Sequence, residues 1–191
     1  MNELYPIFLK VHQLETLLVG AGFVGLEKLT FLLKSSPQAK VTVVSIEISD
    51  EIREIAEKNA NIQLVQNAYH PRYLERKHMV IAATNFPEVN KTIYQEAKSR
   101  YLLVNVADTP EYCDFYLGGI VTKGNVKIAI STNGKSPTTA KRLRQLLEET
   151  IPEDINEMVE NINRYRDTLK GDFEYKVEAL NKLTEGLIKK D

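Results

Sequence analysis

The chain has 191 residues, 43% hydrophobic and 27% charged, with a formal net charge of -1. That leaves room for one α/β domain and a small extra module, with no bulk electrostatic case for nucleic acid or an anionic membrane surface. The single cysteine, Cys113, excludes an intrachain disulfide framework and a Cys-rich metal motif and fits a reducing, cytoplasmic setting; no apolar run reaches bilayer length, and Met1–Lys10 lacks the pattern of a signal peptide.

In chain order, short apolar runs alternate with helical patterns. Thr16–Val19 is a β-rich run ending in Gly20. Gly25–Lys34 carries Leu26, Leu29, Leu32 and Leu33 at helical spacing. Val41–Val44 is the second strand-like run, and Ser49–Asn59 opens with Ser-Asp-Glu-Ile, an N-cap followed by acids in the first turn. Ile62–Val65, Met79–Ala83 and Leu102–Val106 are the third, fourth and fifth runs. Between the last two, Pro87–Arg100 carries Val89, Ile93 and Ala97 on one face. Continuous apolar runs of this length suit strands buried on both faces of a parallel sheet. Their alternation with helices predicts βαβ units.

The rhythm changes after Asp108. Phe115–Val121 and Val126–Ser131 read as two strands joined by Lys123-Gly124-Asn125, a hairpin turn. Ser136-Pro137 starts a helix that runs through Leu143, Leu146 and Leu147. Pro152 restarts a helical stripe of Ile155, Val159, Ile162, Tyr165 and Leu169. After the break at Gly171-Asp172, Phe173, Val177, Leu180, Leu183 and Leu187 form another. The expected organisation is a dinucleotide-binding domain over 1–112, a hairpin plus helix over 113–150, and a helical module over 151–191.

Gly20-Ala21-Gly22-Phe23-Val24-Gly25 matches G-x-G-x-x-G, directly after a strand and directly before a helix, the context the motif requires. Gly20 permits the tight turn, Gly22 lets backbone approach a pyrophosphate, and Gly25 lets the helix pack close to the strand. Helix-start amides then face the phosphates. This is the Rossmann pattern. An acid is expected near the end of the second strand, and Glu47 follows it. Glu47 at the ribose hydroxyls would repel the extra phosphate of NADP, favouring NAD; a solvated loop carboxylate is the other reading. Ligands in such sheets sit beyond the carboxyl ends of the strands, so Thr84 and Asn105 face the crevice. Asp108 sits where a nicotinamide and its substrate would meet, and is the candidate reacting group. Capping of the Thr109-Pro110 turn is its alternative.

These residues together resemble the siroheme synthase N-terminal family. The resemblance is carried by Tyr5–Leu9, Leu17–Lys28, Val41–Val44, Ala82–Asn85, Asn105–Asp108, Cys113–Phe115 and Ile130–Pro137, and covers roughly residues 5–150. Ser-Thr-Asn-Gly-Lys-Ser-Pro after the hairpin is its most specific part. The family comprises precorrin-2 dehydrogenases, some of them also sirohydrochlorin ferrochelatases. The resemblance therefore implies that NAD+ takes a hydride from precorrin-2 to give sirohydrochlorin, with Fe2+ a substrate in bifunctional members. Residue by residue, it places Phe23 and Val24 at the cofactor within the glycine loop, Ile46 and Glu47 on the adenosine side, and Asp108 at the catalytic aspartate. Thr132 falls at the tetrapyrrole pocket. Lys135 and Ser136 share its loop, and Lys135, with Lys141, Arg142 and Arg144, can pair with a substrate rich in carboxylates; a solvated helix face is the plain alternative for these cations. Gly118-Gly119 departs from the family's pattern ahead of the first hairpin strand.

His12, His70 and His78 are scattered without ligand spacing, and Cys113 reads as a partly buried thiol, so no dedicated metal site is expected. A lone hairpin is marginal in water, so pairing with a second copy is expected, as the family's exchanged sheet also implies. The rival reading is an NAD-sensing regulatory module without catalysis.

Overall fold

A computed structural model describes residues 2–187; residues 188–191 of the C-terminal module lie outside the described residues. The chain divides into two compact units, 1–118 with 133–135, and 119–132 with 136–191.

The first unit is a five-stranded parallel sheet in the order β3-β2-β1-β4-β5. Its strands are β1 (Glu15–Ala21), β2 (Lys40–Ile48), β3 (Ile62–Gln66), β4 (Met79–Ala82) and β5 (Leu103–Val106). Its helices are α1 (Phe23–Ser35), α2 (Asp50–Glu57) and α3 (Pro87–Ser99). Alternation along the strands sorts the buried side chains into two cores. Leu18, Val41, Val43 and Ile81 pack with Leu29 and Leu32 of α1 and Ile52 of α2. Leu17, Val19, Val44, Val80 and Val104 pack with Ile93 and Ala97 of α3. Strands buried on both faces explain why the sequence shows continuous apolar runs.

Two boundaries in this unit and one cap differ from the sequence reading. β2 continues through Ile48, because Ser45-Ile46-Glu47-Ile48 still alternates and Ile48 is buried. The first helix begins at Phe23, inside the glycine motif. Ser49 holds the N-cap position of α2, but its side chain makes no capping bond and its Oγ is buried without a partner.

The second unit contains an antiparallel hairpin, β6 (Gly119–Lys123) and β7 (Val126–Ile130), and helices α4 (Pro137–Thr150), α5 (Ile155–Thr168) and α6 (Phe173–Thr184). The first hairpin strand begins at Gly119 rather than Phe115, because Phe115 and Leu117 pack on the first core. Ser136 caps α4 by accepting from the Thr139 amide at 3.2 Å, and Asp172 caps α6 by accepting from the Tyr175 amide at 2.9 Å.

Ile52 and Ile93 are both fully buried, in different cores. Ile52→Ala and Ile93→Ala are each expected to lower the unfolding free energy by about 2–5 kcal/mol. Their effects should add in the double variant, as urea unfolding followed by circular dichroism would show.

Candidate functional site

The strand order reverses between β1 and β4, so a crevice opens beyond their carboxyl ends. Gly20 closes its floor. Its φ is +101°, and a Cβ there would stand 2.4 Å from the Ala83 carbonyl oxygen and 2.8 Å from the Thr84 nitrogen. Gly25 is equally constrained, since a Cβ would fall 2.1 Å from the Gly20 carbonyl oxygen. Gly22 differs: a Cβ there would meet nothing within 4 Å. No neighbour among the described residues demands glycine at 22, whereas a ligand approaching the backbone would. Gly22 is also the N-cap of α1 and offers no side-chain cap, and the first helical bond runs from the Leu26 amide to the Gly22 carbonyl. The first-turn amides of Phe23, Val24 and Gly25 thus lack intrahelical acceptors. Phe23 stands beside them, 82% exposed.

At the end of β2 the register slips. Val19 of β1 faces Val44, but Ala21 faces Ile48. Ser45, Ile46 and Glu47 therefore bow out opposite Gly20, and the Ser49 amide closes the bow on the Ala21 carbonyl at 3.1 Å. The bow keeps Ile46 and Glu47 exposed and level with the glycine turn, so Glu47 stays beside the turn although it lies late in sequence.

Past β4, Thr84 is bound to Asn90 of α3. Its hydroxyl donates to Asn90 Oδ1 at 2.7 Å, its amide to the same oxygen at 3.2 Å, and its carbonyl accepts from Asn90 Nδ2 at 3.0 Å. Asn90 is buried. Sequence reading passed over it because it borders the apolar stripe of α3; a polar residue next to such a stripe was the available signal.

β5 is an edge strand, and the returning chain covers it. The Asp114 amide donates to the Val104 carbonyl at 2.7 Å, and the Val104 amide to Asp114 Oδ2 at 3.0 Å. Cys113 Sγ accepts from the Val106 amide at 3.3 Å and donates to the Val106 carbonyl at 3.2 Å. Burial pushes the Cys113 thiol up from its ordinary range, which keeps the donating proton on sulfur. Asn105 is buried, and its Nδ2 donates to the Phe115 carbonyl at 2.8 Å; this amide holds the wall of the crevice. The excursion between these bonds carries Asp108, which has φ +57° and an exposed carboxylate with no hydrogen-bond or ion-pair partner among the described residues. Asp108 does not cap the following turn. Thr109 holds that N-cap position without a side-chain bond.

Gly20, Gly22, Phe23, Val24, Gly25, Ile46, Glu47, Thr84, Asn105 and Asp108 all belong to the first unit, at the carboxyl ends of its strands. Thr132 and Ser136 belong to the second, and Lys135 is grouped with the first. The Thr132 hydroxyl donates to the Ser136 carbonyl at 3.0 Å and accepts from its amide at 3.3 Å. With the Ser136 hydroxyl capping α4, both side chains shape the turn, and Lys135 is exposed. His70 accepts from the Arg72 amide and His78 from the Glu15 amide through Nδ1, so both brace local backbone. Among the described residues, no cluster of His, Cys, Asp and Glu could hold a metal ion, and no helix is long and apolar enough to cross a membrane.

Residues 7–119 match a family model described as NAD(P)-binding, and residues 123–150 match one described as sirohaem biosynthesis protein central. The chain belongs to the siroheme synthase N-terminal family. It is 33% identical over 168 residues to a siroheme synthase of Nitrosomonas europaea, covering 88% of this chain and 35% of that protein. It is 34% identical over 165 residues to a siroheme synthase of Nitrosococcus oceani, covering 86% of this chain and 35% of that one. The chain thus spans about a third of the length of the curated relatives it matches. A solved structure titled "SirC, precorrin-2 dehydrogenase" shares the fold, with TM-score 0.76 and 24% identity over 94% of this chain and 89% of that one. In this family member, the open side of Gly22 and the unpaired amides of α1 fit the pyrophosphate of a dinucleotide.

The two glycines should therefore respond differently to alanine. Gly20→Ala is expected to lower the thermal midpoint, because the methyl collides with backbone. Gly22→Ala should leave the midpoint near wild type while weakening dinucleotide binding roughly tenfold or more, consistent with the loss of about 1.4 kcal/mol. Calorimetric unfolding and a fluorescence titration with NADH would check both.

Proposed function

We propose that this chain is a cytoplasmic, NAD-dependent precorrin-2 dehydrogenase, oxidising precorrin-2 to sirohydrochlorin in siroheme biosynthesis. The observation that carries this reading is Asp108: an exposed, unpaired carboxylate, held at positive φ just beyond β5 and one strand from the switch point.

Dehydrogenation removes a hydride and a proton from the macrocycle. When bound, the nicotinamide supplies the hydride acceptor. Asp108 takes the proton, as a carboxylate free of internal partners can. Gly20, Gly22, Phe23, Val24 and Gly25 seat the pyrophosphate. Ile46 packs on the adenosine and Glu47 accepts from its ribose hydroxyls, which disfavours a 2′-phosphate. Thr84 and Asn105 form the walls. Lys135, exposed and grouped with the first unit, is a cation for the carboxylates of the tetrapyrrole.

The test is anaerobic: precorrin-2 generated in situ, purified protein and NAD+, followed by NADH absorbance and the sirohydrochlorin spectrum. Asp108→Asn is expected to cut kcat by about 100- to 10,000-fold, with NADH still binding. No turnover by wild type despite cofactor binding would contradict the proposal and favour a sensor. Adding Fe2+ after the first step shows whether the protein also inserts iron. Glu47→Gln should shift the NAD+-over-NADP+ preference by about tenfold, the equivalent of one charge-assisted hydrogen bond of about 1.5 kcal/mol.

We also propose a homodimer formed through the second unit. Val121 belongs to the buried core, while Leu143, Leu146, Tyr165, Phe173 and Leu183 are exposed. α4 packs on the hairpin and buries Val121, so it is the apolar side chains left exposed on α4, α5 and α6 that a second copy would cover. Sedimentation velocity is expected to show a dimer at micromolar concentration; a monomer throughout would overturn this.

A further inference from the structure

α3 joins β4 to β5, so it runs past both loops that flank the crevice. Three of its residues at four-residue intervals bind those loops. Asn90 makes the triple attachment to Thr84 described above. Tyr94 stacks on Tyr112, with ring centroids 4.5 Å apart and planes 20° from parallel. Lys98 Nζ bonds Asp114 Oδ1 at 2.6 Å. Residues spaced by four lie along one side of a helix, and from 90 to 98 they span roughly 12 Å at 1.5 Å per residue. Tyr112 and Asp114 close the excursion that carries Asp108.

We infer that the Asn90–Tyr94–Lys98 stripe of α3 is a strut that fixes the Thr84 loop and the Asp108 loop at a set separation, making Asn90 and Tyr94 positioning residues for cofactor and base respectively. The apolar stripe Val89, Ile93 and Ala97 secures α3 to the sheet, so the neighbouring stripe is rigid by construction. Each end of the strut acts on a different loop. Asn90 holds the wall that abuts Gly20. Tyr94 and Lys98 hold the return of the loop after Asp108 through Tyr112 and Asp114, in addition to the loop's own backbone bonds from the Thr109, Tyr112 and Cys113 amides.

The kinetic part of this inference rests on the proposed dehydrogenase reaction; the structural part does not. Amide hydrogen exchange on the full chain separates them. Tyr94→Ala should speed exchange across residues 107–112 and leave 83–86 unchanged; Asn90→Ala should do the reverse. Lys98→Met removes only an exposed ion pair, so it is expected to fold normally and to loosen 107–112 in the same direction as Tyr94→Ala but to a smaller extent. Tyr94→Phe keeps the ring stack and should restore wild-type exchange. Exchange that rises in both windows for every variant, or in neither, overturns the strut.

In turnover, Tyr94→Ala should lower kcat by about 10- to 100-fold, the scale of a misplacement near 1 Å, with KM for NAD+ within about twofold of wild type. Asn90→Ala should chiefly raise KM for NAD+, and Tyr94→Phe should restore kcat. A uniform loss of both parameters in both variants contradicts separate positioning. If wild type turns over no precorrin-2, the dehydrogenase proposal fails, and the exchange pattern alone judges the strut.

Discussion

Where β1 gives way to α1, the Ala83 carbonyl oxygen of the neighbouring strand lies 2.4 Å from where a Cβ of residue 20 would stand. Glycine is the residue that permits this approach, at a φ of +101° that side chains rarely adopt. The rest of the crevice follows from it. The turn is tight enough to start α1 at Phe23, within the motif, and Gly25 then lets that helix lie against the turn itself. The first-turn amides emerge over the point where the sheet order reverses. A larger residue at 20 would push the two central strands' loops apart and remove the site's floor.

The second constraint is the edge of the sheet. β5 has a free side, and an unpaired strand edge in a folded protein must be paired, covered or charged. Here Cys113 and Asp114 satisfy the amides and carbonyls of Val104 and Val106. The same bonds oblige the chain to leave and rejoin the strand within a few residues. Asp108 sits on that excursion. A requirement of sheet stability thus leaves a carboxylate exposed just beyond β5, without a partner among the described residues, and the thiol of Cys113, its pKa raised by burial, serves this closure.

Much of this was legible in the chain itself. Buried parallel strands leave continuous apolar runs, and Leu17–Val19, Val41–Val44 and Val80–Ala82 show them plainly. The glycine motif announced its geometry because Gly20 and Gly25 each answer a separate steric demand, while Gly22 is left open. The bow at Ser45–Glu47 was not legible, since a register slip depends on which residue of β1 faces which of β2. Nor was the strut on α3. Asn90, Tyr94 and Lys98 read as the polar flank of an amphipathic helix, and only their partners Thr84, Tyr112 and Asp114 give them a task. Thr132 and Ser136 could be located by motif, but their hydroxyls are spent within the turn, a fact no spacing discloses.

The proposed dehydrogenase activity requires one arrangement: a dinucleotide across the β1–β4 switch point, with Asp108 at its reactive end. A crystal structure of the chain with bound NAD+ tests this most directly. The expected result is the pyrophosphate against the amides of Phe23, Val24 and Gly25, the adenosine ribose at Glu47, and the nicotinamide ring directed toward Asp108. A dinucleotide seated elsewhere, or bound with its nicotinamide away from Asp108, would contradict it.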